Sequence, residues 1–372
     1  MGDVSDPTVI EHQMVVWLAK LAGYGASAGG TLTSGGTEAN FTAMLAARNA
    51  AVPNAWEDGL GADPPVVVYG EHAHYAVTRA IGQLGMGRRS GVPIPSRDYR
   101  INVDLLVAAL DRLQKDGKRV MAVVASAGTT ATGSFDDLEA VGKLCDDRGL
   151  WLHVDGAHGA SALLSTRPPR ALNGLRYSRS LAWDPHKMML LPLAAGMVLT
   201  RDEGDLERAF AQQAPYLFHA GKSSRIIDQG VRSFQCSRRA DVLKLWFVMQ
   251  RFGSHGLGRL YDHLCDTARL LYDAIEERDD FENIHEPESN ILCFRYLGRG
   301  GKAGTADTKR IDELNRELRP RYNREGTGWI TATVLDGRPV LRVTMMNPRT
   351  NIEHVRALLD GLSAKAKEIE SA

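Results

Sequence analysis

Between residues 31 and 200, short apolar runs alternate with longer helix-patterned segments, and this alternation restricts the fold more than any other feature of the chain. Strands are expected at 31–33, 66–69, 120–125, 151–154, 181–183 and 196–200, with helices at 39–51, 72–84 and 136–148. A further helix precedes them over 11–21. Apolar runs separated by helices are buried on both faces. The fold class expected is therefore α/β, with a mostly parallel sheet covered by helices on either side. Helices follow at 240–252 and 257–277, and then the pattern changes over 278–288. Strands at 290–296, 328–334 and 340–345, with helices at 306–318 and 352–367, predict a small α+β domain. The expected division is a large domain over 1–280 and a small one over 281–372. No internal repeat or low-complexity segment interrupts the series.

Charge and cysteine usage narrow the function classes. Forty-five basic side chains balance 45 acidic ones, so no general field draws the chain to nucleic acid or an anionic membrane. No apolar run reaches the length of a membrane span, and residues 1–6 lack the basic-then-apolar pattern of a signal peptide. Cys145, Cys236, Cys265 and Cys293 form no CxxC pair. Neither a metal site nor a disulfide framework is expected, and a reduced, cytoplasmic setting fits best.

Three stretches carry chemistry. The first is Ser34-Gly35-Gly36-Thr37-Glu38, between a strand and an alanine-rich helix. Small residues let the backbone approach an anion, and the helix supplies free N–H groups and the positive end of its dipole. A plain turn with an N-cap fits the same residues. The second is His153-Val154-Asp155-Gly156-Ala157-His158. Asp155 ends an apolar strand, where α/β sheets place their sites, and a carboxylate there can keep a pyridinium nitrogen protonated. A helix-capping Asp fits the position too. The third is Asp184-Pro185-His186-Lys187 between two apolar strands. Lys187 is expected to be desolvated there, as an imine-forming amine requires. A solvated turn is the alternative for a lone lysine, but Asp155 earlier in the chain favours the chemical role. His74, opening a helix after a strand, is placed to stack on a planar ring or to serve only structurally.

Taken in order, TSGGTEAN (33–40), HYAVTRA (74–80), SAGTTATGSFDDL (126–138), WLHVDGAHG (151–159), WDPHKMM (183–189), QCSRRADVLKLW (235–246) and LRVTMMNP (341–348) resemble the group II pyridoxal 5′-phosphate (PLP) dependent amino-acid decarboxylases. The resemblance covers nearly the whole chain and implies the fold type I architecture, a PLP cofactor and a homodimer with sites at the interface. It implies that Lys187 carries PLP as a Schiff base and that Asp155 pairs with the ring nitrogen. His74 would stack on the ring, Ala157 would pack on its other face, and Thr130 would lie by the ring oxygen. Ser34, Gly35, Gly36, Thr37 and His186 would surround the phosphate, and Arg342 would engage a substrate carboxylate.

The HKMM stretch, the Tyr216-Leu217-Phe218 segment and the QCSRR stretch resemble the glutamate and cysteine-sulfinate branch most. Decarboxylation of an acidic amino acid is therefore expected, with an aromatic substrate or aldehyde formation as the alternative. A PLP carbon–carbon lyase and a non-catalytic PLP-binding paralogue are the other readings. Three departures stand out. Relatives have a segment ahead of the point where residue 1 falls. Residues 219–228 lack the tyrosine that relatives use to return a proton to Cα, leaving His219 or water for that role. Asp184 replaces the branch's usual asparagine.

Overall fold

The computed structural model describes residues 7–210, 229–298, 301–303, 308–324 and 328–371. Two compact units are present, one of Met1–Thr130 with Phe135–Arg259, the other of Ala131–Ser134 with Leu260–Ala372.

The first unit begins with α1 (Pro7–Leu21), β1 (Gly29–Thr33), α2 (Gly36–Ala51), β2 (Val66–Gly70), α3 (Tyr75–Gln83) and β3 (Gly91–Ile94). A small hairpin, β4 (Ser96–Arg97) and β5 (Arg100–Ile101), leads to α4 (Val103–Lys115). Then come β6 (Val120–Ser126), α5 (Leu138–Asp147), β7 (Trp151–Asp155), β8 (Ser180–Trp183), β9 (Gly196–Thr200) and α6 (Gly204–Ala209). Seven strands form one sheet in the order β1-β9-β8-β7-β6-β2-β3. From β8 to β3 every pairing is parallel, while β9 runs antiparallel to both β8 and β1. This is the α/β sheet that the alternating pattern predicts.

β7 and β8 are buried along their whole length, as strands covered on both faces must be. The alanine face of α2 explains its close approach to the sheet: Ala39, Ala43 and Ala47 are fully buried in one cluster with Ala182 and Val198. The alternation read from sequence does not include β3, the hairpin or α4. β3 contains Pro93, which lacks a donor for a central ladder, and it lies at the sheet edge where that is tolerated.

α7 (Val242–Glu276) carries the chain from the first unit into the second and is broken at Gly253, whose φ is 65°. In the second unit β10 (Phe281–Asn283), β11 (Ile291–Tyr296), β12 (Thr331–Leu335) and β13 (Arg338–Thr344) form an antiparallel sheet in the order β10-β11-β13-β12. α8 (Thr308–Arg324) and α9 (Ile352–Ser371) pack with it through Leu314, Leu318, Leu359 and Leu362. Asn315 clamps α8 to β11 by accepting from Tyr296 N at 3.0 Å and donating to its carbonyl at 2.8 Å. Ala268, Leu271 and Ile275 of α7 belong to this core, so the unit starts earlier in the chain than its strands do. No helix among the described residues is long and apolar enough to cross a membrane.

Candidate active site

In the first unit, β6, β7 and β8 end side by side at Ser126, Asp155 and Trp183, and Asp184 follows β8 directly. Beyond the far end of β1, Ser34 and Gly35 lead into α2. A cavity of about 420 Å³ opens among these ends, where ligands of parallel sheets are held. Its lining includes Ser34, Gly35, Gly36, Thr37, His74, Thr130, Asp155, Ala157, His186 and Lys187, so the fold gathers all of these sequence-selected residues. Glu38, Asn40, Ser126, Gly128, Thr129, His158, Asp184 and Leu193 complete it. Most of these stand inside the quoted motifs, the signal by which the sequence could have found them.

The α2 turn is built for close approach. Its N-cap is Gly35, so no side chain caps the first N–H groups of the helix. A Cβ on Gly196 would lie 2.5 Å from the Gly35 Cα, and glycine is what lets β9 pass beneath the turn. Ser34 is tied to the first turn of α2. Its hydroxyl and its N–H both donate to Glu38 Oε2, at 2.5 and 2.9 Å.

Lys187 lies in the β8–β9 connection, closed by His186 N to Ala195 O (3.1 Å) and Ala195 N to His186 Nδ1 (3.2 Å). The expectation of a desolvated lysine is not met, since the side chain is 37% exposed. The connection opens onto the cavity rather than into the core. Its Nζ lies 3.0 Å from Asp184 Oδ2, and His186 Nε2 lies 3.6 Å from the same oxygen. Asp184 itself is buried, and its Oδ1 has no hydrogen-bond partner among the described residues. Burial pushes its carboxyl above the ordinary range, against the pull of Lys187 and His186.

Asp155 is buried and accepts from Ala157 N at 3.1 Å. His74 caps α3 by accepting from Ala76 N at 3.2 Å. Burial holds the His74 imidazole below its usual range, with Asp155 opposing. Asp136 anchors the segment after β6 by accepting from Ser126 N at 2.6 Å and Ile101 N at 2.7 Å. Arg342 belongs to the second unit, on β13, where Nε donates to Ala131 O at 2.9 Å. Residues 216–219 and the rest of the loop to 228 lie outside the described residues. No group of His, Cys, Asp or Glu with metal-binding geometry occurs among the described residues.

An amine, a buried carboxylate at a strand end and an uncapped helix N-terminus around one cavity suit a phosphorylated pyridine aldehyde. The profile of the pyridoxal-dependent decarboxylase conserved domain matches residues 5–297.

The chain belongs to the pyridoxal-dependent decarboxylase family.

This decarboxylase is 32% identical over 369 residues to L-2,4-diaminobutyrate decarboxylase of Rhizobium meliloti, covering 98% of the chain and 71% of that relative. It is 31% identical to aromatic-L-amino-acid decarboxylase of Bacillus atrophaeus, covering 97% and 73%. Cysteine sulfinic acid decarboxylase of Mus musculus matches at 33%, covering 86% and 66%. The crystal structure of mouse CSAD superposes with a TM-score of 0.90 at 30% identity, over 97% of this chain and 76% of that one. The protein is a PLP-dependent amino-acid decarboxylase of fold type I.

The residues present fit the cofactor. The uncapped start of α2 offers N–H donors to a phosphate in a cavity that also holds the amine of Lys187 and the buried carboxyl of Asp155.

Proposed function

We propose that this decarboxylase removes the α-carboxylate of an amino acid with an acidic side chain, such as glutamate, aspartate or cysteine sulfinate, using the first-unit cavity as its centre. One observation carries the assignment of the centre: Lys187 Nζ, held 3.0 Å from a buried carboxylate, shares that cavity with Asp155 and the uncapped start of α2. When bound, PLP supplies a sink for the electrons of the breaking Cα–carboxylate bond. Lys187 supplies the amine to which it attaches, and Asp155 the negative charge that keeps its ring nitrogen protonated. His74, kept neutral by burial, and Ala157 would hold the ring between them. Thr130 would lie by the ring oxygen. Ser34, Gly35, Gly36 and Thr37, with His186, would hold the phosphate, helped by the free N–H groups that open α2. Arg342 is the proposed partner of a substrate carboxylate.

The acidic side chain is supported by the HKMM and QCSRR stretches and by the cysteine sulfinic acid relative. A second reading, a cationic side chain such as that of 2,4-diaminobutyrate, is favoured by the charge inventory. Glu38, Asp155 and Asp184 line the cavity with the one ammonium of Lys187 among the described lining residues. CO₂ release from PLP-loaded protein decides between them. Fastest release from an acidic amino acid supports the first reading, and fastest release from diaminobutyrate or an aromatic amino acid overturns it. Loss of both CO₂ release and the bound-cofactor absorbance in Lys187→Ala is expected, and retention of both removes Lys187 from the centre.

A homodimer is part of the proposal. Exposed Tyr75, Phe247 and Phe252 on the first unit are large apolar side chains that a second copy would cover.

A further inference from the structure

Behind the cavity, a line of buried polar groups runs from the sheet to the first turn of α2. His153 lies on β7, two residues before Asp155, and is fully buried. Its Nδ1 is 2.8 Å from Ser180 Oγ, and its Nε2 is 2.8 Å from Asn40 Oδ1. Asn40, also buried, donates through Nδ2 to the carbonyl of Gly36 at 2.7 Å. At the far end the indole N–H of Trp151 donates to Ser180 Oγ at 2.9 Å.

Donor and acceptor chemistry allows this line only one arrangement. The Gly36 carbonyl accepts only, so the amide nitrogen of Asn40 must face it and Oδ1 must face His153. Oδ1 accepts only, so His153 Nε2 carries the proton. Burial pushes the imidazole down to about 4, so the ring is neutral and Nδ1 is bare. The Ser180 hydroxyl therefore donates to Nδ1 and accepts from Trp151. Every member is satisfied, and the line ends on the first residue of α2.

That end point matters because two glycines open the turn, where Thr33 Oγ1 and Ala39 N donate to Gly35 O at 3.2 and 3.0 Å but neither reaches Gly36. Gly35 and Gly36 have no side chains and the widest backbone freedom. On the exposed side, Glu38 ties back to Ser34. On the buried side, the Asn40 contact ties Gly36 to the sheet through His153. We propose that Asn40 and His153 are positioning residues for the cofactor's phosphate, holding the Gly36 peptide so that the N–H groups opening α2 stay directed at the anion. The inference rests on the reading of this turn as the phosphate cradle.

The test compares two ligands that differ only in the phosphate. PLP and pyridoxal are titrated, by absorbance, into the full chain and into Asn40→Leu, His153→Leu and His153→Gln. Glutamine places an amide N–H near the position of Nε2. Loss of a buried hydrogen-bond partner predicts PLP binding weakened by about tenfold or more in both leucine variants. Pyridoxal binding should be unchanged, and His153→Gln should recover most of the loss. Equal weakening of both ligands, or of neither, overturns the proposal, because a purely structural role would not single out the phosphate. If the leucine variants do not fold, the smaller Asn40→Ala decides by the same comparison, since it removes the donor to Gly36 without placing a charge beside the phosphate. If the unaltered chain binds PLP no tighter than pyridoxal, the cradle reading itself has failed, and the inference falls with it.

Discussion

Asp184 shows how one side chain takes its meaning from burial. Its carboxyl holds a proton to higher pH than an exposed aspartate, because burial penalises the charge more than Lys187 and His186 relieve it, with Asp155 adding to the penalty. A neutral acid tolerates a phosphate nearby and a carboxylate repels it. PLP affinity should therefore fall as pH rises through the Asp184 transition, and Asp184→Asn should bind more tightly at high pH with a flatter profile. Dissociation constants measured across pH for both proteins check this; parallel profiles would refute it. His153 gives a prediction of the opposite sign. Its folded value of about 4 lies below the ordinary imidazole value of 6.5, so between the two the unfolded chain binds the extra proton. Stability is then full above 6.5 and falls as pH drops toward 4, by on the order of 3 kcal/mol. Urea denaturation across that window should show the slope, and His153→Gln should remove it. That Lys187 and Asp155 belong with the chemistry-bearing stretches was legible in the motifs, and the fold brings both to one cavity. The exposure of Lys187 and the Ser34–Glu38 contact were not legible, because the first depends on how the β8–β9 connection opens onto the cavity and the second on how the α2 turn folds.

Among the elements, β9 and α2 are the pair on which the site depends. The register Thr33↔Gly196 brings β9 against the end of β1, directly under the α2 turn. An alanine at Gly196 would put a methyl group 2.5 Å from the Gly35 Cα. Overpacking of this kind costs about 1–3 kcal/mol. Gly196→Ala should lower the melting temperature and weaken PLP binding together, as calorimetry and titration would show; an unchanged affinity would mean that the turn moves without consequence. The QCSRR stretch explains itself here as well. Arg238 donates to Leu32 O at 3.1 Å and pairs with Glu11 of α1 at 2.8 Å, while Glu11 accepts from Leu32 N at 2.9 Å. Removing one partner of a buried pair costs about 3–5 kcal/mol. Glu11→Leu should therefore destabilise by that order in denaturant melts, whereas a shift within error would make the pair dispensable. Strands and helices with strong periodicity were readable in advance. β3 and the short hairpin were not, because an edge strand with a proline and two-residue strands carry too little pattern.

For the molecule as a whole, the proposed dimer predicts a sedimenting species of twice the chain's mass, and a monomer at all concentrations would end that proposal. The alternation of apolar runs and helices determined by itself that the first unit would be a covered, mostly parallel sheet, since a strand buried on both faces must be apolar throughout. The motifs marked most of the residues that line the cavity, since a glycine-rich turn, an acid at a strand end and a lysine are local features of three short stretches. Only the tertiary structure decided how those stretches meet. Insertion of β9 between β1 and β8, the Asp184–Lys187 contact and the line from Trp151 through His153 and Asn40 to Gly36 all depend on strand order and register. Local sequence periodicity carries no record of which strand pairs with which, so these pairings arise only when the sheet closes.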